Sequence, residues 1–437
     1  MASLNAIVLA TDPLSRGRIA GLTACERAVR VAKKAGALDV CVVEDEASRS
    51  RLLDWRGAQR GRLLVIRADQ LVHSGLVEPL LAVGRDAIAI VPEDAPVNDL
   101  TAGAYAGAFV VGGDAVNGVI EALARGETDA AVVAKISEPM RVAHGEIARA
   151  PIATKEQRRA AHRLLYRILI KPQDNALTRY LYRPVSMPLT KLLVWTPITP
   201  NVISCFVAAL VAFGCWLTAH RDVELALLGT VLVLVASYID CCDGEVARVK
   251  LMSSRFGAWV DTIVDELSSV GYMVALGWHC HLYFGPNYFG RLGFDPWLAA
   301  TAVGVVTYVW CIYCIYYNII VAVGSANSQD YVGRFEVVPG KRPNTVRLAP
   351  AATKAIVTKE PLPQPFEFLA TYMPYIVRRD FISWAAVGFA GLHVTHAGFG
   401  TLVVGGLISF VVLSIDHIKL RSLRRSIERR GMGLETP

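Results

Sequence analysis

Two rhythms of hydrophobic and polar positions divide the chain near residue 150. Before it, short apolar runs alternate with stretches of helical period. Residues 5–10 (NAIVLA), 39–45 (DVCVVED), 62–67 (RLLVIR), 87–91 (AIAIV) and 130–135 (AAVVAK) read as buried strands. Between the first two, TACERAVRVAKKAG has the helical period and stops at Gly36. Such alternation predicts a small α/β domain over 1–150 on a mostly parallel sheet. The opening MASLNAIVLATDPL has no basic leader and reads as a strand, not a signal peptide.

A basic amphipathic segment is expected over 151–198. Thr154 and Gln157 fit a capping box. Arg158, Arg159, Arg163 and Arg167 then share a helix with Leu164, Leu165, Ile168 and Leu169, a pattern suited to anionic headgroups or to a solvated interdomain helix. From residue 199 the apolar runs lengthen to bilayer-crossing size, about 20 residues each. Six spans are expected, near 199–219, 223–242, 257–282, 297–323, 380–395 and 397–417. Lys and Arg gather in the 324–379 loop (Arg334, Lys341, Arg342, Arg347, Lys354, Lys359, Arg378, Arg379), in the tail after 418 and at Arg248, Lys250 and Arg255. The opposite loops hold little beyond Arg221 and Arg291. An even number of spans then puts both termini and the basic loops on the cytoplasmic face of a cell inner membrane. The expected fold is an α-helical integral membrane domain of six transmembrane helices over 199–430, preceded by a cytoplasmic α/β domain.

Composition agrees with a membrane protein that has a soluble part. Of 437 residues, 53% are hydrophobic and only 19% charged. The net charge of +7 lies where it suits a membrane surface and not nucleic acid. Nine cysteines form no regular framework, so reduced thiols are expected. His279-Cys280-His281 and Cys311-x-x-Cys314 have the look of metal motifs, but their places in the apolar pattern make them packing residues.

The chemistry gathers at 240–266, where four aspartates and two glutamates interrupt apolar sequence. At about 100° per residue, Asp240, Asp243, Gly244, Ala247 and Arg248 share one helix face. Gly257, Asp261 and Asp265 line one face of the next helix, and Glu266 points away. Four converging carboxylates cannot all stay ionised without a cation, and oxygen ligands favour Mg²⁺ or Mn²⁺ over Zn²⁺. The small residues leave room for a bulky ligand, and Arg248 offers a fork for phosphate. The set reads as a metal–diphosphate site at the membrane face.

Asp240-x-x-Asp243-Gly244-x-x-Ala247-Arg248, eight residues, then Gly257-x-x-x-Asp261-x-x-x-Asp265 resembles the full signature of the CDP-alcohol phosphotransferases. RYLYRPVSMPLTKLLVWTPITPNVIS (179–204) is similar to the family's interfacial helix and entry to the first span, and RRDF (378–381) to its entry to the fifth. The resemblance covers about 171–430. It implies attack by an acceptor hydroxyl on a CDP-linked alcohol, with release of CMP. It implies two metal ions held by Asp240, Asp243, Asp261 and Asp265, with Asp265 also the general base. Gly244, Ala247, Arg248, Gly257 and Asn201 are implied to contact the CDP moiety, and a homodimer is expected.

Lys171-Pro172-x-Asp174 and the α/β domain are similar to a branch that joins an inositol-phosphate cytidylyltransferase to a di-inositol-phosphate phosphate synthase. CDP-inositol and CDP-diacylglycerol are the donors to consider. Cytidylyltransferases need a glycine-rich loop after the first strand to cradle phosphates. Here that loop is TDPLSRGR, so a degenerate or regulatory domain is expected. Were it active and the protein bifunctional, Arg16, Arg18, Lys33 and Asp69 would form its nucleotide site. An intramembrane prenyltransferase would space its acidic motifs differently. A cation transporter would spread its carboxylates over several helices near mid-bilayer.

Overall fold

The computed structural model describes residues 3–56, 61–97, 99–170, 174, 177–290, 292–324, 331–340, 342, 345–350 and 379–435. The chain forms two compact units. The first takes in Met1–Asn175, Arg183–Thr199 and Gly244–Met252; the second Ala176–Tyr182, Pro200–Asp243 and Ser253–Pro437.

In the first unit the order is β1 (Leu4–Leu9), β2 (Arg18–Ile19), β3 (Leu22–Thr23), α1 (Ala24–Lys34), β4 (Ala37–Val43), α2 (Glu46–Arg56), β5 (Arg62–Arg67) and β6 (Gln70–Val72). Then come α3 (Glu78–Ala82), β7 (Ala87–Ile90), β8 (Tyr105–Val111), α4 (Ala115–Ala124), α5 (Asp129–Val133), β9 (Met140–Ala143), β10 (Arg149–Pro151), α6 (Lys155–Tyr166) and α7 (Arg183–Leu193). The main sheet has the order β4-β1-β5-β8-β7-β9. Alternate residues of its strands serve two cores. Ala6, Val8, Leu64 and Ile66 belong to one buried cluster with Ala28 and Val31 of α1. Ile7, Leu63 and Val65 belong to the other, with Leu52 of α2 and Ile120 and Leu123 of α4.

Two expectations about this unit change. The run 130–135 lies in and just after helix α5, whose start is capped by the Thr128 side chain accepting from the Ala131 N–H. Its place in the sheet is taken by β8, which pairs antiparallel with both β5 and β7, so the sheet is mixed. Gly107 kinks this strand at φ +90°, where a Cβ would stand 2.4 Å from the Gln70 side-chain nitrogen. Helix α6 begins with the expected Thr154–Gln157 capping box. Its apolar residues Ala161, Leu164 and Leu165 are buried within the unit, and His162 Nε2 accepts the Ala20 N–H at 3.1 Å. The apolar face is therefore covered by protein, not by headgroups, while Arg158, Arg159, Arg163 and Arg167 remain exposed.

The second unit is built on α8 (Pro200–Thr218), α9 (Val223–Val249), α10 (Arg255–Phe284), α11 (Pro296–Asn318), α12 (Arg379–Gly391) and α13 (Thr395–Arg429), with the last turns of α9 assigned to the first unit. Among the described residues four stretches are long and apolar enough to cross a membrane: Pro200–Thr218, Val223–Val249, Pro296–Val323 and Thr395–Arg429. Helix α10 has 30 residues, but Asp261, Asp265 and Glu266 lower its hydropathy; α12 is 13 residues long. Close crossing of α8 and α9 depends on two glycines. A Cβ on Gly214 would lie 2.9 Å from the Gly229 carbonyl oxygen, and one on Gly229 2.4 Å from that of Gly214.

The basic loop holds structure that its composition did not suggest. Strands β11 (Phe335–Pro339) and β12 (Thr345–Pro350) form a hairpin, and β13 (Gly433–Glu435) joins β12 in parallel. Val346 and Leu348 pack in one cluster with Leu420 and Ile427 of α13. Lys171, Pro172, Arg291, Lys341, Lys354, Lys359 and Arg378 lie outside the described residues.

Candidate metal and diphosphate site

Apolar sequence carries α9 from Leu225 through Leu234 and Ala236 to its first aspartate, Asp240. Ser254 starts α10 afresh, its hydroxyl accepting the Gly257 N–H at 2.9 Å. With the helices so placed, Asp240, Asp261 and Asp265 each offer a carboxylate oxygen, and these lie within 4.8 Å of one another. All three are half-buried. Three like charges this close repel strongly, and a hard divalent cation is the natural compensation.

Asp243 is not in that trio. It is 5% exposed and accepts a hydrogen bond from Ser204 Oγ of α8 at 2.6 Å. Glu266 faces elsewhere, as the helical spacing requires: it accepts from Tyr308 Oη at 2.7 Å and Tyr316 Oη at 3.3 Å, both on α11. Asn201 stands beside Gly257, its Oδ1 3.5 Å from where a Cβ would be. A Cβ on Gly244 would sit 3.3 Å from Arg248 Nη1, so the guanidinium folds back one turn along α9, as helix geometry favours. Ala247 follows on the same turn and is half-buried.

The residues that follow the acidic positions are anchored in the first unit. Glu245 is fully buried, accepts from Ser186 Oγ at 2.8 Å and is paired with Arg183 Nη1. Arg183 also grips Asp174 through Nε and Nη2, both at 2.8 Å. The sequence reading quoted Asp174 and Arg183 as motif positions but missed their bond, and it missed Ser204 and Glu245 as partners. Serine at 204 and glutamate at 245 carry no periodic signal; only the fold brings their partners to them.

Residues 197–389 match the model of the family described as CDP-alcohol phosphatidyltransferase. This stretch resembles a CDP-alcohol phosphatidyltransferase domain. The carboxylate trio lies inside it. Curated relatives include the bifunctional IPC transferase and DIPP synthase of Aquifex aeolicus (strain VF5), 31% identical over 156 residues, which is 36% of this chain and 33% of that protein. The protein of the same name from Thermococcus kodakarensis is 31% identical over 128 residues, 29% of this chain and 28% of that protein. The matched stretches thus span about a third or less of these relatives. Among solved structures, apo phosphatidylinositol phosphate synthase of Mycobacterium tuberculosis aligns with TM-score 0.31 at 16% identity, covering 52% of this chain and 94% of that one.

The suggested nucleotide residues of the α/β unit are placed as follows. Arg16 ends the short helical turn Pro13–Arg16 and is exposed, as are Arg18 and, in the last turn of α1, Lys33. Asp69 follows β5, where Arg67 Nε donates to its Oδ1 at 2.8 Å. The other suspected metal motifs have ordinary partners. The His279 ring is bonded to the His220 carbonyl, His281 is paired with Asp295, and Cys280, Cys311 and Cys314 are buried. None of the nine cysteines is in a disulfide.

Proposed function

We propose that the protein is a membrane phosphotransferase that moves a substituted phosphate from a CDP-alcohol to an acceptor alcohol and releases CMP. The observation that carries this reading is the convergence of Asp240, Asp261 and Asp265 within the family-matched stretch. The donor set is all oxygen, which fits Mg²⁺ or Mn²⁺. Asp240, Asp243, Asp261 and Asp265 would hold two ions, with Asp243 steadied by Ser204. Divalent cations bound there would neutralise the diphosphate and ease departure of CMP. Gly244, Ala247 and Gly257 keep the helix surfaces low enough for the nucleotide, beside Asn201. Arg248 holds a phosphate oxygen. The acceptor hydroxyl attacks the phosphorus distal to cytidine, and Asp265 takes its proton. The bond from that phosphorus to the bridging oxygen breaks, CMP leaves, and a phosphodiester remains.

The wider setting follows from the same reading. Six spans, with α10 and α12 added to the four apolar stretches, put both termini and the site on the cytoplasmic face of an inner membrane. The donor is CDP-diacylglycerol or CDP-inositol, and the working form is a homodimer. The decisive assay is CMP release from full-length protein in lipid nanodiscs, offering each donor with inositol 1-phosphate or glycerol 3-phosphate. Release that needs Mg²⁺ or Mn²⁺ and falls at least about a thousandfold in Asp265→Asn supports the reading. Metal uptake into vesicles without CMP release from any pair would overturn it in favour of a transporter.

A second reading is that the α/β unit itself makes the CDP-alcohol from CTP and an alcohol phosphate. The bifunctional names of the relatives favour it. Pyrophosphate release from CTP and inositol 1-phosphate, lost in Asp69→Ala, would establish it.

A further inference from the structure

The end of α9 poses a physical problem. A helix leaves its last four carbonyls without intrahelical donors. Here the chain answers part of it locally. The Met252 N–H reaches the Ala247 carbonyl at 2.8 Å and the Leu251 N–H that of Arg248 at 3.3 Å, the paired bonds of a Schellman turn. The turn requires a left-handed residue, normally glycine, yet Leu251 occupies it at φ +56°. A leucine there costs about 1 kcal/mol or more. The offset is visible: Leu251 is buried and belongs to the main core cluster of the α/β unit, with Ala28, Val31 and Leu76.

The remaining carbonyls are answered from the same unit. Arg27 is fully buried; its Nη1 donates to the Val249 carbonyl at 2.8 Å and its Nη2 to that of Ile19 at 3.0 Å. Arg30 Nη1 donates to the Lys250 carbonyl at 2.8 Å. Two consecutive carbonyls of the helix end, 249 and 250, are therefore held by two side chains more than 200 positions earlier. Both are arginines, the charge that a helix C-terminus attracts. Lys250 in turn donates through Nζ to the carbonyls of Thr196 at 2.6 Å and Ile198 at 3.1 Å.

We infer that the α/β unit is a positioning element for the donor site: Arg27, Arg30 and Leu251 fix the last turn of α9, and so the register in which Arg248 meets the CDP-alcohol. This rests on the donor reading above. It holds whether or not the α/β unit has chemistry of its own. Arg27 and Arg30 touch no substrate; they act through the backbone that carries Arg248.

The test uses full-length protein in nanodiscs with the donor–acceptor pair that gives CMP release. Arg30→Ala is the first variant, because Arg30 is only partly buried; Arg27→Lys is the second, because it keeps charge while losing the fork. In both, the donor KM is expected to rise about tenfold while the acceptor KM stays within about twofold. CMP titrated as a product inhibitor should weaken in parallel. A merely structural loss would lower the active fraction, and hence the apparent kcat, and leave both KM values alone. Amide exchange at 247–252 should quicken in the variants, a readout that survives any loss of turnover. Unchanged donor KM and unchanged exchange in Arg30→Ala and Arg27→Lys would overturn the inference while leaving the phosphotransferase reading intact. Absence of CMP release from the wild type would instead strike the reading itself.

Discussion

Glu245 is the residue that most exposes how the signature helix is held. A carboxylate with no solvent exposure, one position past Gly244, is sustained by Arg183 and Ser186. Removing one partner of a buried pair leaves the other uncompensated, which costs about 3–5 kcal/mol. Arg183→Ala should therefore lower the melting temperature of the purified protein sharply. The double variant Arg183→Ala/Glu245→Ala should recover part of that loss; additive losses would mean that the two side chains are not coupled. The grouping of the aspartates was legible in sequence because i, i+3 and i+4 spacings put side chains on one face before any fold is known. The partners were not, since Arg183 and Glu245 are 62 positions apart and Ser204 and Asp243 are 39. Asp243 illustrates the limit: spacing groups it with Asp240, yet the fold gives it a serine.

At the scale of elements, long apolar helices could be read directly, while short strands could not. Residues 130–135 have strand-like composition but follow a capping threonine, and the helix won. Strand β8 escaped notice because Gly107 weakens its pattern, and the hairpin β11–β12 because it lies in a run rich in basic residues and finds packing partners far along the chain, on α13. Helix and turn together also predict a pH response. Burial first, and then the charges of Arg27 and Lys34, push the His73 imidazole down from 6.5 to about 4. Between those values the unfolded chain takes up a proton that the folded chain refuses. Stability from this group is complete above pH 6.5 and falls as the pH drops towards 4, by at most about 3 kcal/mol. Melting curves of the full chain at pH 7 and pH 5 should show the decline. In His73→Gln the slope should flatten; an unchanged slope would place the titration elsewhere.

For the whole molecule, the two compositional halves were apparent from hydropathy alone. The assignment of Gly244–Met252 to the first unit was not. That assignment depends on bonds such as Arg27 to Val249, 222 positions apart, which no local pattern encodes. Orientation gives a prediction at this scale. An even number of spans puts residue 3 and residue 435 on one side, so reporters fused near either end should both be active in the cytoplasm. A reporter active there at one end only would mean an odd number.

Helix α10 packs against α8, α11 and α13 and carries Asp261 and Asp265, yet it is absent from the four stretches that pass as membrane-crossing by length and hydropathy. In terms of biogenesis, α10 is then a segment that cannot commit itself. A nascent chain released just after Phe284 should often leave it outside the bilayer, whereas synthesis through α11 supplies Tyr308 and Tyr316 to receive Glu266. Assembly order would thus be written into the acidic helix: the segment that carries Asp261 and Asp265 enters only after α11, as a passenger of its neighbours.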